Sequence, residues 1–547
     1  MASTFQRPDG QLGLDTVEQI LRKHESVDDA AVVLRDGADA EAVAFVTMHK
    51  NIVESQIGNQ RQSDNEYETQ QIQLWKTAFD RGARTAMGQN LLPNAVARDF
   101  TGWVSAYDGA PLNHSDMNEW LDDTIETLLG CGSSHSLNVL ELGTGSGLVL
   151  LGIAESLQCY LGLELSQTAV DFVTATASSI PYLADKVRVH QGTATDLHLL
   201  GPASPSVVVI NSVAQYFPSR DYLLEVVEGI LRLGSVRTVF LGDIRSYALQ
   251  QEFLISKAFH KSGERASKDD VREAMMGMAQ AEIELLVDPG FFTSLPDQFP
   301  DVIEHVEILP KKMRANNELS RYRYAAIIHV RDRKQMGEGR QQQQQVIHEI
   351  KDEEWLDFVD SGLDRQSLLR RLQASASAPG IVAVSNICYS KTVFDRHAID
   401  SLNGGPEDNT LDWISSARQK SQDCASLAAV DLVDIAKEAG YEVEISWARQ
   451  HSQRGGLDAV FHRHQPSSGA RLMFRFPTDH QGRAASTFSN QPLQQQAEQA
   501  IQQQLYEALE TQLPLHLVPQ DIFVLGTLPT NAEGEVDREA LARRAEA

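Results

Sequence analysis

Three glycines on alternate positions, Gly143, Gly145 and Gly147, directly follow a run that can form a buried strand, residues 139–142. An apolar run typical of a helix, residues 148–157, begins immediately after them. Glycine has no side chain and tolerates positive φ, so such a turn lets a ligand approach the backbone closely. The sequence predicts a strand, a ligand-binding turn and a helix, although glycines in such turns also serve packing alone.

An acid follows at the spacing that a nucleotide-type ligand requires. The next strand-like run, residues 160–164, ends in Glu164. This position lies about 20 residues after the first glycine, where the ribose hydroxyls of such a ligand would be bound. Glu164 is therefore the predicted ribose ligand.

The details of the turn narrow the kind of ligand. A dinucleotide fingerprint needs glycine where this chain has Leu148, and a phosphate loop needs Gly-Lys-Ser/Thr, which is absent. What remains, Glu141 inside the strand and Gly-x-Gly-x-Gly after it, resembles motif I of the class I methyltransferases. That resemblance implies S-adenosyl-L-methionine as the cofactor, with Glu141, the three glycines and Glu164 beside it.

Polar residues also end the following predicted strands. Strand and helix signals alternate as far as residue 243, which predicts a doubly wound parallel sheet with the ligand at the carboxyl ends of its strands. Gly143, Glu164, Asp196 and Asn211 all fall at such ends. Because these ends meet in one crevice, their convergence favours a functional site over scattered surface acids.

Several separate motifs carry a more specific resemblance. They are residues 211–218 (Asn-Ser-Val-Ala-Gln-Tyr-Phe-Pro), 242–247 (Gly-Asp-Ile-Arg-Ser-Tyr), 284–289, 308–324 and 100–103, together with Tyr107 and the pair Glu119 and Trp120. These resemble the N-methyltransferase domains embedded in fungal nonribosomal peptide synthetases. The resemblance implies a class I methyltransferase domain whose residues 192–196 lie by the adenine ring and whose residues 211–218 lie by the transferable methyl group.

Residue roles follow from this resemblance and from the chemistry of methyl transfer, which needs positioning more than a strong base. Asn211, Gln215 and Tyr216 are expected to orient the amine. Thr195, Asp196, Asn211 and Ser212 are expected to contact the cofactor, and Trp103 and Tyr107 to cover it, because aromatic faces attract a sulfonium by about 0.5–2 kcal/mol. Trp120, Glu318, Tyr322 and Arg323 are the predicted acceptor-binding residues. Ordinary packing is the alternative for each aromatic residue.

The two ends of the chain resemble one small domain. Residues 1–50 predict a helix and two strands, too little to fold alone, and residues 491–547 predict a long helix followed by a Gly-Glu-Val-Asp-Arg motif. Together they resemble the C-terminal subdomain of an adenylation domain. The family's lysine is replaced by Glu535, so no adenylation activity is expected from this chain alone. The expected domains are residues 1–50 and 481–547 of this subdomain, a linker at 51–69, and the methyltransferase domain at 70–480.

The amino-acid composition limits the classes of partner that this chain could bind. A chain of 547 residues with 48 basic and 75 acidic residues has a net charge of −27, which argues against nucleic acid and anionic membrane as partners. Four scattered cysteines and isolated histidines show no metal-ligand spacing, and no apolar run could span a bilayer, so we expect no metal and a cytoplasmic location. Residues 346–379 are expected to be helical, and residues 472–476 resemble the closing strand of the same N-methyltransferase family.

These observations predict an S-adenosyl-L-methionine-dependent N-methyltransferase. Its expected substrate is the α-amine of an aminoacyl thioester on the phosphopantetheine arm of a peptidyl carrier protein, and its expected partners include the remaining domains of a synthetase. Three alternatives stay open: a methyltransferase of free small molecules, an oxygen or carbon methyltransferase of the same fold, and a non-catalytic structural module.

Overall fold

The computed structural model describes residues 8–35, 41–48, 60–86, 97–130, 136–263, 266–331, 347–374, 380–404, 413–464, 472–514, 517–525, 527–531 and 535–546. The chain divides into two compact units. The smaller unit consists of residues 1–71 and 491–547, and the larger unit of residues 72–490.

The strands are, in chain order, β1 (Val27–Arg35), β2 (Glu41–Met48), β3 (Leu137–Leu142), β4 (Leu157–Glu164), β5 (Val187–Gln191), β6 (Val207–Asn211), β7 (Thr238–Arg245), β8 (Ile303–Pro310), β9 (Arg323–Val330), β10 (Ile347–Glu349), β11 (Trp355–Asp357), β12 (Val382–Ile387), β13 (Glu442–Ser446), β14 (Leu457–His462), β15 (Met473–Arg475) and β16 (Asp521–Leu525).

The helices are α1 (Pro8–Arg22), α2 (Gln60–Ala86), α3 (His114–Gly130), α4 (Leu148–Gly152), α5 (Gln167–Ser179), α6 (Arg220–Arg232), α7 (Gln250–Ser262), α8 (Lys268–Gln280), α9 (Pro289–Thr293), α10 (Leu295–Gln298), α11 (Glu318–Tyr322), α12 (Arg365–Ala374), α13 (Val393–Asn403), α14 (Trp413–Asp423), α15 (Ala429–Ala439), α16 (Pro492–Gln512) and α17 (Arg538–Glu546).

The smaller unit is built from both ends of the chain. Strand β2 pairs antiparallel with β1 and parallel with β16, which gives a three-stranded sheet in the order β1-β2-β16. Alternate residues of β2 are buried on opposite faces, as the two-residue period of a strand requires. Ala42, Ala44 and Val46 pack in the core that includes Leu505 of α16, whereas Val43 and Phe45 pack with Leu541 of α17. The predicted partner for residues 1–50 is therefore found at the other end of the chain.

The larger unit contains a seven-stranded sheet in the order β5-β4-β3-β6-β7-β9-β8. Strands β3 to β7 are parallel, and β9 runs antiparallel to both β7 and β8. Both faces of its central strands are buried, which explains why β6 reads as a continuous apolar run. This is the class I methyltransferase arrangement, so the predicted α/β fold is confirmed, with antiparallel strand β9 as an addition to the parallel sheet.

A second layer of strands in the larger unit was not predicted. Strands β11, β12, β14 and β13 form a four-stranded sheet, and β10 pairs with β15 in a separate two-stranded sheet within the described ranges. Among the described residues 347–374, the expectation of helix is wrong for β10 and β11 and is confirmed for α12, and β15 pairs with β10 rather than with the seven-stranded sheet. Strands of three residues are too short to show the alternation that identifies a strand in a sequence.

Other boundaries also differ from expectation. Helix α2 begins at Gln60, inside the predicted linker, because its glutamine, glutamate and arginine residues are strong helix formers as well as polar. Helix α4 ends at Gly152 rather than extending to residue 157, and β4 follows after a short turn. Residues expected to begin the second flank bond to the larger unit instead, since the Asn490 side chain accepts from the Leu286 amide at 2.8 Å and donates to the Glu284 carbonyl at 2.9 Å.

Candidate functional site

A cavity of about 780 Å³ lies at the carboxyl ends of β3, β4, β6 and β7. Its volume is in the range of roughly 300–1,000 Å³ that is usual for small-molecule sites. Most of the predicted site residues line it: Trp103, Trp120, Glu141, Gly143, Gly145, Glu164, Asn211, Ser212, Gln215, Tyr216, Glu318, Tyr322 and Arg323.

Four predicted residues, Gly147, Tyr107, Thr195 and Asp196, do not line this cavity. Gly147 precedes α4, and the Tyr107 ring stacks against Phe253 behind the cavity wall. Strand β5 ends at Gln191, so Thr195 and Asp196 lie beyond the strand end on which their prediction depended. The Asp196 carboxylate instead accepts hydrogen bonds of 2.8 Å from the amide and the hydroxyl of Thr193, and so supports the loop of residues 192–194 that does line the cavity.

The glycines of the turn have different physical roles. All three have positive φ, which L-residues with side chains rarely adopt. At Gly143 a Cβ would lie 2.3 Å from the Val213 side chain, so this glycine is required for packing. At Gly145 a Cβ would meet no atom within 4 Å, and the residue faces the cavity. Gly145 is therefore the glycine that leaves room for a ligand.

Glu164, at the end of β4, forms a hydrogen bond with the glycine turn that follows β3. Its carboxylate accepts a hydrogen bond of 2.8 Å from the Gly145 amide and one of 2.9 Å from the Ser166 amide. Burial raises the pKa of Glu164 above its ordinary value, while these two amides act in the opposite direction. Each carboxylate oxygen has two lone pairs, so both oxygens can accept a further hydrogen bond from a ligand.

Glu141 lies deeper in the same wall and is almost completely buried. The Tyr160 hydroxyl donates a hydrogen bond to its carboxylate, and burial raises the pKa of Glu141 to about 8. A carboxyl group in this environment gains a proton at neutral pH unless a cation lies nearby. Glu141 and Glu164 together suit a ligand that carries a positive charge and hydroxyl groups.

The cavity as a whole is acidic. Its described lining contains six acidic and three basic side chains: Asp99, Glu141, Glu164, Glu282, Glu284 and Glu318 against Arg245, Lys257 and Arg323. The Arg245 guanidinium bonds to Glu282 and Glu284 at 2.7 Å each. The remaining excess of carboxylates favours cationic ligands over anionic ones.

Asn211, Gln215 and Tyr216 follow β6 and lie together in the cavity wall. Asn211 Oδ1 and Gln215 Oε1 are buried and have no hydrogen-bond partner among the described residues, whereas Gln215 Nε2 donates to the Ser212 carbonyl at 3.2 Å. Buried polar groups usually have a hydrogen-bond partner, and a ligand in the cavity would be able to supply one to each of these two oxygens. Burial raises the pKa of Tyr216 to about 12, so its hydroxyl keeps its proton at neutral pH.

Two aromatic residues of the wall were missed by the sequence analysis. Trp75 and Phe79 of α2 lie one helical turn apart, line the cavity and pack against the Tyr216 ring, with centroid distances of 4.6 and 4.9 Å. Their signal was available, because two aromatic residues at i and i+4 on a polar helix indicate one buried face. The polar composition of the surrounding helix concealed this face.

Asp243, at the end of the adjacent strand β7, was also missed as a site residue. Its carboxylate has no exposed surface and accepts hydrogen bonds of 3.0 Å from Trp120, 2.7 Å from Ser212 and 2.6 Å from Arg323. Burial raises its pKa, but the charges of Arg323 and Lys311 outweigh that effect and lower it below the ordinary value. Asp243 therefore remains ionised and holds three cavity-lining residues in place.

The predicted acceptor residues also have structural partners. Glu318 accepts a hydrogen bond of 2.8 Å from the Ala106 amide and so holds the loop of residues 101–106 over the cavity. The Tyr322 hydroxyl donates to Asp395 at 2.8 Å. Within the described ranges, no His, Cys, Asp and Glu side chains are grouped to hold a metal ion, and no helix is long and apolar enough to cross a bilayer.

Comparison with known proteins gives matches over the site and over the whole chain. Residues 140–237 match the family described as "Methyltransferase domain". The chain is 48% identical to the nonribosomal peptide synthetase dtxS1 of Metarhizium robertsii over 96% of its own length, and 46% identical to the nonribosomal peptide synthetase TES of Alternaria alternata over 99%. It spans only 6% and 10% of the lengths of these two relatives.

Among solved structures, the N-methyltransferase NodS from Bradyrhizobium japonicum, in complex with S-adenosyl-L-homocysteine, is 9% identical to the chain. The match covers 46% of this chain and 98% of that one, with a TM-score of 0.29.

Proposed function

This chain carries a methyltransferase domain of the kind embedded in fungal nonribosomal peptide synthetases, and from that premise we propose that it N-methylates a carrier-bound amino acid. Its cofactor is S-adenosyl-L-methionine. The acceptor in this proposal is the α-amine of an aminoacyl thioester on the phosphopantetheine arm of a peptidyl carrier protein, and the reaction takes place in the cytoplasm.

The acidic cavity at the strand ends is the observation that carries the proposal. S-adenosyl-L-methionine, when bound, supplies a methyl group on a positively charged sulfur. Glu164 would hold its ribose hydroxyls, the Gly145 backbone would leave space for it, and Glu141 would face its positive charge. Trp103 and Trp120 line the same space and offer aromatic faces to a sulfonium.

The acceptor side needs positioning rather than a strong base. An α-amino group titrates near 7.7–8.0, so a useful fraction is neutral at physiological pH, and its proton can leave to water after transfer. Asn211, Gln215 and Tyr216 would orient the amine toward the methyl group, with Tyr216 acting in its protonated form. Orientation of two reactants in one cavity supplies a large part of such a rate enhancement.

The charge of the cavity also supports an acceptor without a free carboxylate. A free amino acid brings a negative charge into a cavity whose described acidic side chains outnumber its basic ones, whereas a thioester masks that charge. Aminoacyl thioesters thus suit the site better than free amino acids. Tethering on a carrier would add a high effective concentration.

The smaller unit supports the same assignment. We propose that it is the C-terminal subdomain of an adenylation domain, divided by insertion of the larger unit, because β2 is completed by β16 from the far end of the chain. With Glu535 where that family has lysine, we expect no adenylation by this chain alone. The other domains of a synthetase would supply the loaded carrier.

Two experiments separate this proposal from its alternatives. Calorimetry with S-adenosyl-L-methionine and with NAD should give saturable binding of the first only; no binding would favour a structural module.

The second experiment compares the methylation rates of an aminoacyl thioester and the free amino acid, and the ¹⁵N-labelled product is analysed by mass spectrometry. Equal rates would support a methyltransferase of free small molecules, and a methyl group on oxygen or carbon would contradict N-methylation.

A further inference from the structure

Lys257 differs from the other cations of the cavity. Arg245 is bonded to Glu282 and Glu284, and Arg323 is bonded to Asp243. Lys257 lines the same cavity but makes no ion pair with any carboxylate in the part of the chain that the structure describes. Among the three basic side chains of the described cavity lining, Lys257 is therefore the one that is not paired with a carboxylate.

Lys257 is partly exposed to solvent where it lines the cavity. The residue is half-buried on α7, and its ammonium lies over the Phe253 ring, 5.8 Å from the ring centre. Ile283, which also lines the cavity, is 41% exposed. A side chain in this place can meet the part of a substrate that enters last.

We propose that Lys257 binds the phosphate of the phosphopantetheine arm, an inference that rests on the proposed function. The arm has the aminoacyl thioester at one end and a phosphodiester at the other. The phosphodiester is repelled by the carboxylates inside the cavity and stays at the rim, where an ammonium acts as a compact phosphate-binding charge.

An internal role for Lys257 explains the geometry less well. One such role would be toward Glu282, whose pKa is lowered mainly by Arg245 and to a smaller extent by the Lys257 charge. Glu282 is already held by two hydrogen bonds from Arg245, of 2.9 and 2.7 Å, so its charge is compensated without Lys257. The lysine is not needed to complete the wall.

The test compares two substrates that differ only in the phosphate: an aminoacyl phosphopantetheine and the same aminoacyl pantetheine. The measured quantity is the ratio of their kcat/KM values in the full chain. Lys257→Met keeps an unbranched side chain and removes the charge, and Lys257→Arg keeps a cation. Lys261→Met is the control, because Lys261 is exposed one helical turn away and does not line the cavity.

We expect Lys257→Met to lower this ratio about tenfold, the effect of one hydrogen bond to a charged group. Lys257→Arg should restore most of the ratio, and Lys261→Met should leave it unchanged. An unchanged ratio in Lys257→Met, or an equal fall in Lys261→Met, would overturn the inference while the proposed function stands. If the unmodified chain methylates neither thioester, the proposed function fails and the inference fails with it.

Discussion

Ser212 and Asp243 are both in left-handed backbone conformations, with φ of 56° and 60°, and a hydrogen bond of 2.7 Å joins the Ser212 hydroxyl to the Asp243 carboxylate. Such conformations cost about 1–3 kcal/mol each for residues with side chains and occur most often at functional sites. Here these backbone conformations place the buried Asp243 carboxylate within hydrogen-bond distance of Ser212, Trp120 and Arg323.

Replacing the Asp243 carboxylate should lower the free energy of unfolding. Asp243→Asn leaves the Arg323 guanidinium without its anionic partner in a buried position, and breaking a buried pair in this way costs about 3–5 kcal/mol. Denaturant unfolding measures the loss of free energy of unfolding. The double variant Asp243→Asn, Arg323→Met should recover part of that loss, and a loss below about 1 kcal/mol in the single variant would show that the pair is not important for stability.

Glu164→Ala should weaken S-adenosyl-L-methionine binding at least tenfold. It removes two acceptors of charge-assisted hydrogen bonds, each contributing about 1.5–3 kcal/mol, and frees the Gly145 amide that the carboxylate holds. Calorimetry measures the dissociation constant. Glu155→Ala is the control, because Glu155 is exposed and lies outside the cavity. An unchanged constant in folded Glu164→Ala would remove Glu164 from the site.

Gly145→Val should abolish cofactor binding because its side chain occupies the open space in front of the turn. The substitution also strains a backbone with φ of 55°, so a control for strain is needed. Gly440→Val provides it, since Gly440 has φ of 71°, has open space beside it and ends α15 away from the cavity. Loss of binding in both variants would show that strain, rather than the occupied space, is responsible.

Glu141 should make stability depend on pH. Burial raises its pKa from 4.5 to about 8, so the folded state favours the protonated carboxyl. This contribution is fully present below pH 4.5 and is lost as pH rises from there through about 8. The Glu141→Gln side chain cannot lose a proton. The free energy of unfolding of this variant, relative to that of the unmodified chain, should therefore rise over that interval by several kcal/mol, at about 1.4 kcal/mol per pH unit. Chemical unfolding at both limits measures this difference.

The part of the site that lies on consecutive residues could be predicted from the sequence. The glycine turn with Glu141, and the segment from Asn211 to Tyr216, carry their signals in their own spacing, and the cavity contains both. The location of Glu164 at the end of β4 followed from its distance to the turn. Such local patterns are informative because a polar residue that directly follows a strand lies at the carboxyl end of that strand in the folded sheet.

The rest depends on contacts between distant segments. Asp243 has its role through Trp120, Ser212 and Arg323, which no spacing along the chain connects to it. Trp75 lies on a helix whose polar composition concealed its one buried face. Asp196 was placed at a strand end, but β5 ends earlier and the residue supports its own loop instead.

The pairing of β2 with β16 has a consequence for the order of folding during synthesis. Arg35 and Asp521, joined by a hydrogen bond in the smaller unit, are 486 residues apart in sequence. The first strands therefore leave the ribosome long before the strand that completes their sheet, and they expose an unpaired edge in the meantime. Because the entropy of closing a loop grows with its length, prior folding of the larger unit would shorten the effective loop and speed the completion of the sheet.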